Sequence, residues 1–177
     1  MASTLTVDNI VGATTAGNVK LPAGCVVQTV TKAFSDSTSV TSSGTTFTDL
    51  TNGTIVITPK YNNSKIFILP NIPFYLQDSS SMYIYGGFRL LRGSSTVIAP
   101  TPSADSNGSY DYGIGVNDGS AGTLQFDTRH CGHHVDTPAT TSATTYKFQA
   151  ITYASGRTLV VNGAGASSSI IAMEISV

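Results

Sequence analysis

Apolar residues along this chain recur at every second position over short runs, the period of a half-buried strand, and helix-type spacing is nearly absent. Cys25 to Phe34 (CVVQTVTKAF) alternates from Val26 onward. After a loop of Ser, Thr and Asp, Thr45 to Leu50 (TTFTDL) alternates around Phe47, and Asn52-Gly53 predicts a turn with positive φ angles. Thr54 to Thr58 (TIVIT) predicts a short strand closed by Pro59. Lys65 to Leu69 (KIFIL) is denser in apolar residues, which predicts burial on both faces. Pro70 and Pro73 interrupt its continuation, so Ile72 to Leu76 is expected as a bent or edge strand.

Met82 to Arg92 (MYIYGGFRLLR) is the longest candidate strand, and Gly86-Gly87 within it marks a bulge or a close backbone contact. Gly93-Ser-Ser turns the chain into Thr96 to Ala99 (TVIA), a hairpin. Pro100 to Gly122 is the least regular stretch, expected as a long exposed loop holding one short strand, Tyr110 to Val116. Leu124 to Arg129, Thr144 to Ala154, Thr158 to Asn162 and Ile170 to Val177 complete the strands. Roughly eight to ten strands joined by Gly- and Ser-rich turns predict an all-β antiparallel sandwich or barrel.

Residues 1–24 read differently. Leu5, Val7, Ile10, Val11, Val19 and Leu21 stand singly among Thr, Ala, Gly and Asn, without the basic and apolar regions of a signal peptide. They predict an extended arm that needs another surface to bury its few side chains. The division is therefore an arm, 1–24, and a β domain, 25–177.

Composition narrows the function. Charged residues make up only 11% of the 177 residues, and the net charge is −1 with no basic cluster. Phosphate-directed binding of nucleic acid needs concentrated Lys and Arg, so no nucleic-acid partner is expected. No stretch is apolar enough for a spanning helix, and no membrane insertion is expected. Ser and Thr supply about a quarter of the chain, giving a neutral, hydroxyl-rich surface suited to carbohydrate or protein. Cys25 and Cys131 are expected as free thiols of a reducing compartment.

The only cluster of metal-ligand types is Arg129-His-Cys-Gly-His-His-Val-Asp136. In a strand His130 and His134 share one face, with Cys131 and His133 opposite, so one chain offers two ligands where a closed zinc site takes four. Threefold symmetry would raise the count, which makes His130, His133 and His134 weak metal candidates; no metal and no cofactor is expected. No nucleophile elbow occurs, and Cys131 beside His130 is the sole local pairing of nucleophile and base. Asp105, Asp111, Asp118, Asp127 and Asp136 are scattered, so no enzymatic activity is expected. Tyr75, Tyr83, Tyr85 and Tyr153 are expected at the edges of the core. Tyr110 and Tyr112 lie in a glycine-rich loop, which makes Asn107, Tyr110, Tyr112, Asn117 and Asp118 the candidate recognition loop.

Several segments carry a resemblance. They are Thr6 to Pro22 (TVDNIVGATTAGNVKLP), Ser64 to Ile68, Leu90 to Ser95, Pro138 to Lys147 (PATTSATTYK) and Ser169 to Ile175. In this order they resemble short tail-fibre-like virion proteins of bacteriophages, especially those of marine bacteria and cyanobacteria; Pro100 to Gly122 departs from that pattern. The resemblance implies a homotrimeric jelly roll of the C1q and tumour-necrosis-factor type. It implies that the arm docks onto tail, baseplate or capsid proteins, and that the β domain meets a host-surface glycan or protein. Such a chain is expected in the virion, assembled in the cytoplasm of the host bacterium. The C-terminal strand, apolar at almost every residue but Glu174, suits burial both within and between subunits. Two alternatives stay open: a capsid decoration or cement protein, and a soluble carbohydrate-binding module.

Overall fold

The computed structural model describes residues 22–41, 46–78, 83–99, 113–117, 124–152 and 156–177. The arm positions Leu5, Val7, Ile10, Val11, Val19 and Leu21, and the loop positions Asn107, Tyr110, Tyr112 and Asp118, lie outside the described residues. The described strands are β1 (Val26–Phe34), β2 (Thr38–Val40), β3 (Thr48–Ile57), β4 (Lys65–Asp78), β5 (Tyr83–Arg92) and β6 (Thr96–Ala99). They continue as β7 (Gly113–Asn117), β8 (Leu124–Cys131), β9 (His134–Asp136), β10 (Thr144–Thr152), β11 (Arg157–Val161) and β12 (Ser168–Ile175). A 3-10 turn, Gly163–Gly165, separates the last two.

The strands form two antiparallel sheets packed as a sandwich. In the first, β4 is central. Its first half pairs with β12 on one side and β9 on the other, and its second half with β11 and β8. Beyond these, β1 pairs with β12 and β2 with β11. In the second sheet β10 lies between β3 and β5, and β6 and β7 share the far edge of β5. Strands that follow one another along the same partner act as one row, so each sheet has four rows and the chain winds between them as a jelly roll.

The long run of β4 corrects the expectation of a bent or edge strand after Pro70. The two prolines fall where the ladders change partners. Pro70 lies between Ile68, the last residue paired with β9, and Asn71, the first paired with β8. On the other side Pro73 lies between Asn71, paired with β12, and Phe74, paired with β11. A missing N–H at a gap between two partner strands removes no ladder bond, so a central strand tolerates both.

A second correction concerns Asn52-Gly53. The pair makes no turn; β3 runs through it, with a register shift against β10 between Lys147 and Gln149. Asn52 takes the positive φ of 56°, but spends it on a bulge. Its Nδ2 donates to Asp36 (2.8 Å), while the Thr51 N–H donates to the Thr38 hydroxyl (2.8 Å), joining the bulge to the chain entering β2. A Cβ on Gly53 would lie 2.6 Å from Leu50 Cβ, so the bulge needs glycine there.

Between the sheets lies one core, including Ile66, Ile68, Leu76, Phe88, Phe148, Leu159 and Ile170. Phe74 meets Phe88 edge-on at 4.8 Å. Of the two readings for Gly86-Gly87, close contact holds: a Cβ on Gly86 would sit 2.8 Å from Leu76 and 2.9 Å from Leu159, and pairing with β10 continues through it. Asn162 fastens the corner where β11 passes to β12. Buried, with φ 53°, it donates to the carbonyls of Phe34 and Asp36 (3.2 Å each) and accepts from the Ser168 hydroxyl (2.7 Å). The outer row of β1 and β2 and the adjacent row of β12 and β11 both break at that level, so one asparagine satisfies the backbone groups left by the break.

Candidate functional site

Alternation along β4 sends Ile66, Ile68, Ile72, Phe74 and Leu76 into the core, and therefore Lys65, Phe67, Leu69, Asn71, Tyr75 and Gln77 to the opposite side. In β12, Ile170, Ala172 and Glu174 face inward and Ile171, Met173 and Ile175 outward. Burial within the chain is thus one-sided in both strands, which corrects the expectation for Lys65 to Leu69. Of the outward side chains Lys65 and Asn71 are exposed and the others half-buried.

Register joins them into a patch. Met173 lies opposite Phe67, which lies opposite Val135, and Ile171 lies opposite Leu69. The Phe67 ring stacks on His133 at 5.7 Å. Val135 is 53% exposed, and at the end of the same sheet Val26 and Val177 are each 49% exposed. Isolated exposed apolar residues are ordinary; a patch continuous across three adjacent strands is what marks a contact surface.

The other half of this outer face is polar. It carries Asn71, Tyr75 and Gln77 from β4, and Gln125, Asp127, Arg129 and Cys131 from β8. A cleft of about 320 Å³ opens there, its lining including Pro73, Tyr75, Asp127, Arg129, Gly163 and Ala166. Tyr75, expected at the edge of the core, is thus a half-buried side chain of the outer face. Its outward phase was legible from the alternation of Phe74 and Leu76, but the prolines pointed to a bent or edge strand rather than a central one.

The histidines divide by the same alternation. His130 and His134 point into the core, and Cys131 and His133 point away. His130 lies flat against Phe88 at 4.7 Å and edge-on to Phe148 at 6.0 Å. Burial, reinforced by His134, pushes His130 down to about 3; burial, reinforced by His133, pushes His134 down to about 4. Both rings are buried within the chain, and His133 is the one of the three that is exposed. Among the described residues no three His, Cys, Asp or Glu side chains converge. His130 also faces away from Cys131, so it cannot act as that thiol's base. Cys131 Sγ instead lies 3.6 Å from Asn71 Oδ1.

Among the described residues the buried carboxylates all hold structure together. Asp136 accepts both contacts of Arg92 Nη1 (2.8 Å each) and the Tyr146 hydroxyl (2.6 Å), tying β9 of one sheet to β5 and β10 of the other. Burial and this bond hold the Tyr146 phenol well above its ordinary range. Asp78 accepts from Arg157 at 3.1 Å. Glu174, fully buried, accepts from Gln28 Nε2 (2.6 Å), Ser64 Oγ (2.6 Å) and the N–H groups of Lys60 (2.8 Å) and Tyr61 (3.1 Å). Burial raises its pKa, but the bonds from Ser64, Lys60, Gln28 and Tyr61 outweigh that and hold it below the usual carboxylate value. The one charged residue of the C-terminal strand thus moors the connection between β3 and β4.

Asn117 closes β7 opposite Tyr83, so of the candidate recognition loop the structure places only this backbone position, at the sheet edge. No family model matches the chain, and no curated protein matches it. Among solved structures, a chain of infectious bursal disease virus, Gx strain, is similar at 14% identity and a TM-score of 0.35 over all of this chain. The VP2 subviral particle of infectious bursal disease virus is similar at 15% identity and a TM-score of 0.30, again over all of this chain. The chain spans 42% of the length of each of these two proteins.

Proposed function

We propose that this chain is a structural subunit of a bacteriophage virion, a homotrimeric tail-fibre or spike protein that presents its jelly roll to the host surface. The arm, through Leu5, Val7, Ile10, Val11, Val19 and Leu21, docks on other virion proteins, and the protein has no catalytic role. The resemblance in the arm and in Pro138 to Lys147 motivates the virion reading.

The observation that carries the trimer is the apolar half of the outer face. Phe67, Leu69, Val135, Ile171 and Met173 form one patch on the side of the sheet turned away from the core. A second copy of the same neutral surface is a suitable cover, because no charge of either sign would need to be matched. Where the described chain begins, Gly24 N–H donates to Ser176 O (2.8 Å) and Ser176 N–H to Cys25 O (2.9 Å), so the residues that follow the proposed arm are tied to the end of this sheet.

Light scattering after gel filtration tests the association, with the whole chain and with a chain lacking residues 2–20. A trimer in both supports the proposal; a monomer in both overturns the trimer. Incorporation of the shortened chain into particles at normal levels overturns docking by the arm.

A further inference from the structure

We propose that the cleft beside Tyr75, on the polar half of the outer face, is a binding site for a neutral pyranose. Its walls come from three separate parts of the chain. β4 supplies Pro73 and Tyr75, β8 supplies Asp127 and Arg129, and the turn after β11 supplies Gly163 and Ala166. At about 320 Å³ the cleft lies at the small end of the range for ligand sites, about 300–1,000 Å³, which suits a single ring.

The chemistry of these walls matches a sugar. A pyranose presents C–H groups on one side and hydroxyls around its rim, so it needs an apolar plate beside convergent donors and acceptors. Tyr75 is the plate, with a hydroxyl at its tip. Asp127 lies directly opposite Tyr75 in the register, and Arg129 directly opposite Pro73, so acceptor and donor stand side by side next to the ring. Asp127 receives Gln125 Nε2 at 3.1 Å, and a carboxylate has further lone pairs for vicinal hydroxyls. Arg129 donates through Nη1 to Asn71 Oδ1 at 3.0 Å, which orients the guanidinium while its remaining N–H groups are available for ligand oxygens. One carboxylate and one guanidinium cancel. That balance selects against anionic ligands such as nucleotides and acidic sugars.

The wall opposite the strands is preformed. A Cβ on Gly163 would lie 2.5 Å from Tyr75 Cε1, so only glycine lets the turn approach the ring edge. The turn is held by Asn162 at its start and closed by Ala166 N–H donating to Gly163 O at 3.1 Å. A rigid wall reduces the ordering that a weak, hydroxyl-rich ligand would otherwise have to offset.

The test uses the full chain, labelled with nitrogen-15, titrated with the methyl glycosides of glucose, galactose, mannose and N-acetylglucosamine. Saturable shifts of the Tyr75, Asp127, Arg129 and Gly163 amides with at least one glycoside are expected. Tyr75→Ala should weaken that binding about tenfold while Tyr75→Phe keeps most of it. Asp127→Asn, at an exposed position, repeats the test independently should Tyr75→Ala disturb folding. Absence of shifts with all four glycosides overturns the site. So do shifts with N-acetylneuraminic acid alone, or undiminished binding in both Tyr75→Ala and Asp127→Asn. Binding is read on the protein in solution, so it stands or falls separately from the trimer and from virion docking.

Discussion

The two halves of one outer sheet face share the central strand β4, the same pleat and the same alternation, yet differ in chemistry. The first half of β4 turns Phe67 and Leu69 outward beside Ile171, Met173 and Val135; the second turns out Tyr75 and Gln77 beside Asp127 and Arg129. The change comes at Asn71, where the partner strands also change. Behind both halves lies the same core, so stability does not require the difference. A surface that must leave water favours the first composition, and one that must exchange hydroxyl partners favours the second. The partition of jobs between the halves can be broken by substitutions that strike one half, or the interior behind them.

The largest effect is expected from charge in the apolar half. Phe67→Asp together with Met173→Asp would bury unpaired carboxylates in the proposed trimer contact, at a cost upwards of about 5 kcal/mol per subunit. Light scattering should show a folded monomer, whereas Gln77→Asp in the polar half leaves the mass unchanged. A trimer surviving the double change would refute the partition.

Behind the face, Asp136→Ala strips Arg92 and Tyr146 of their shared partner and should cost about 3 kcal/mol, read as a lower urea midpoint with the oligomer mass retained. This separates folding from association.

Acid comes next. His130 and His134 have folded values near 3 and 4, below the ordinary 6.5, so the unfolded chain takes up protons first. Their contribution is whole above about pH 6.5 and is lost as pH falls toward 4, at about 1.4 kcal/mol per pH unit for each ring. Stability measured by urea at pH 7, 6 and 5 should fall accordingly, and His134→Leu should remove one ring's share of the slope. A flat profile in the unmodified protein would show the rings to be reachable by water.

Gly163→Ala should be the mildest in stability, less than about 1 kcal/mol, since the turn is exposed beyond the ring contact. Its consequence is local: the Tyr75 ring must move, and the amide shifts with methyl glycosides should weaken without any change in mass.

Much of the fold was legible in the residues. The alternation over Val26 to Phe34 and Thr144 to Thr152 and the apolar run Ile170 to Ile175 are local, and each of these is a strand. The opposition of His130 and His134 to Cys131 and His133 followed from the same period. Three-residue strands such as β2 (Thr38–Val40) and β9 (His134–Asp136) were not legible, because so few residues carry no period and their pairing with β11 and β4 defines them. Asn52-Gly53 reads the same whether its positive φ closes a hairpin or makes a bulge; the pairing of β3 with β10 on both sides of it decided for the bulge. The candidate site was legible least. Tyr75, Asp127 and Gly163 are far apart in sequence, and nothing local links them.

By itself, then, the sequence determined the class of the protein: short amphipathic strands, Gly and Ser turns, too little charge for a phosphate-binding surface, and an arm of unlike composition. The tertiary structure alone decided which strands are central, which side of each is turned outward, and that His130, His134 and Glu174 belong to the interior. The physical reason is that a period of two states which residues share a side. Whether that side meets the core, water or another chain depends on strands paired across long separations, and those pairings are not written in any local pattern.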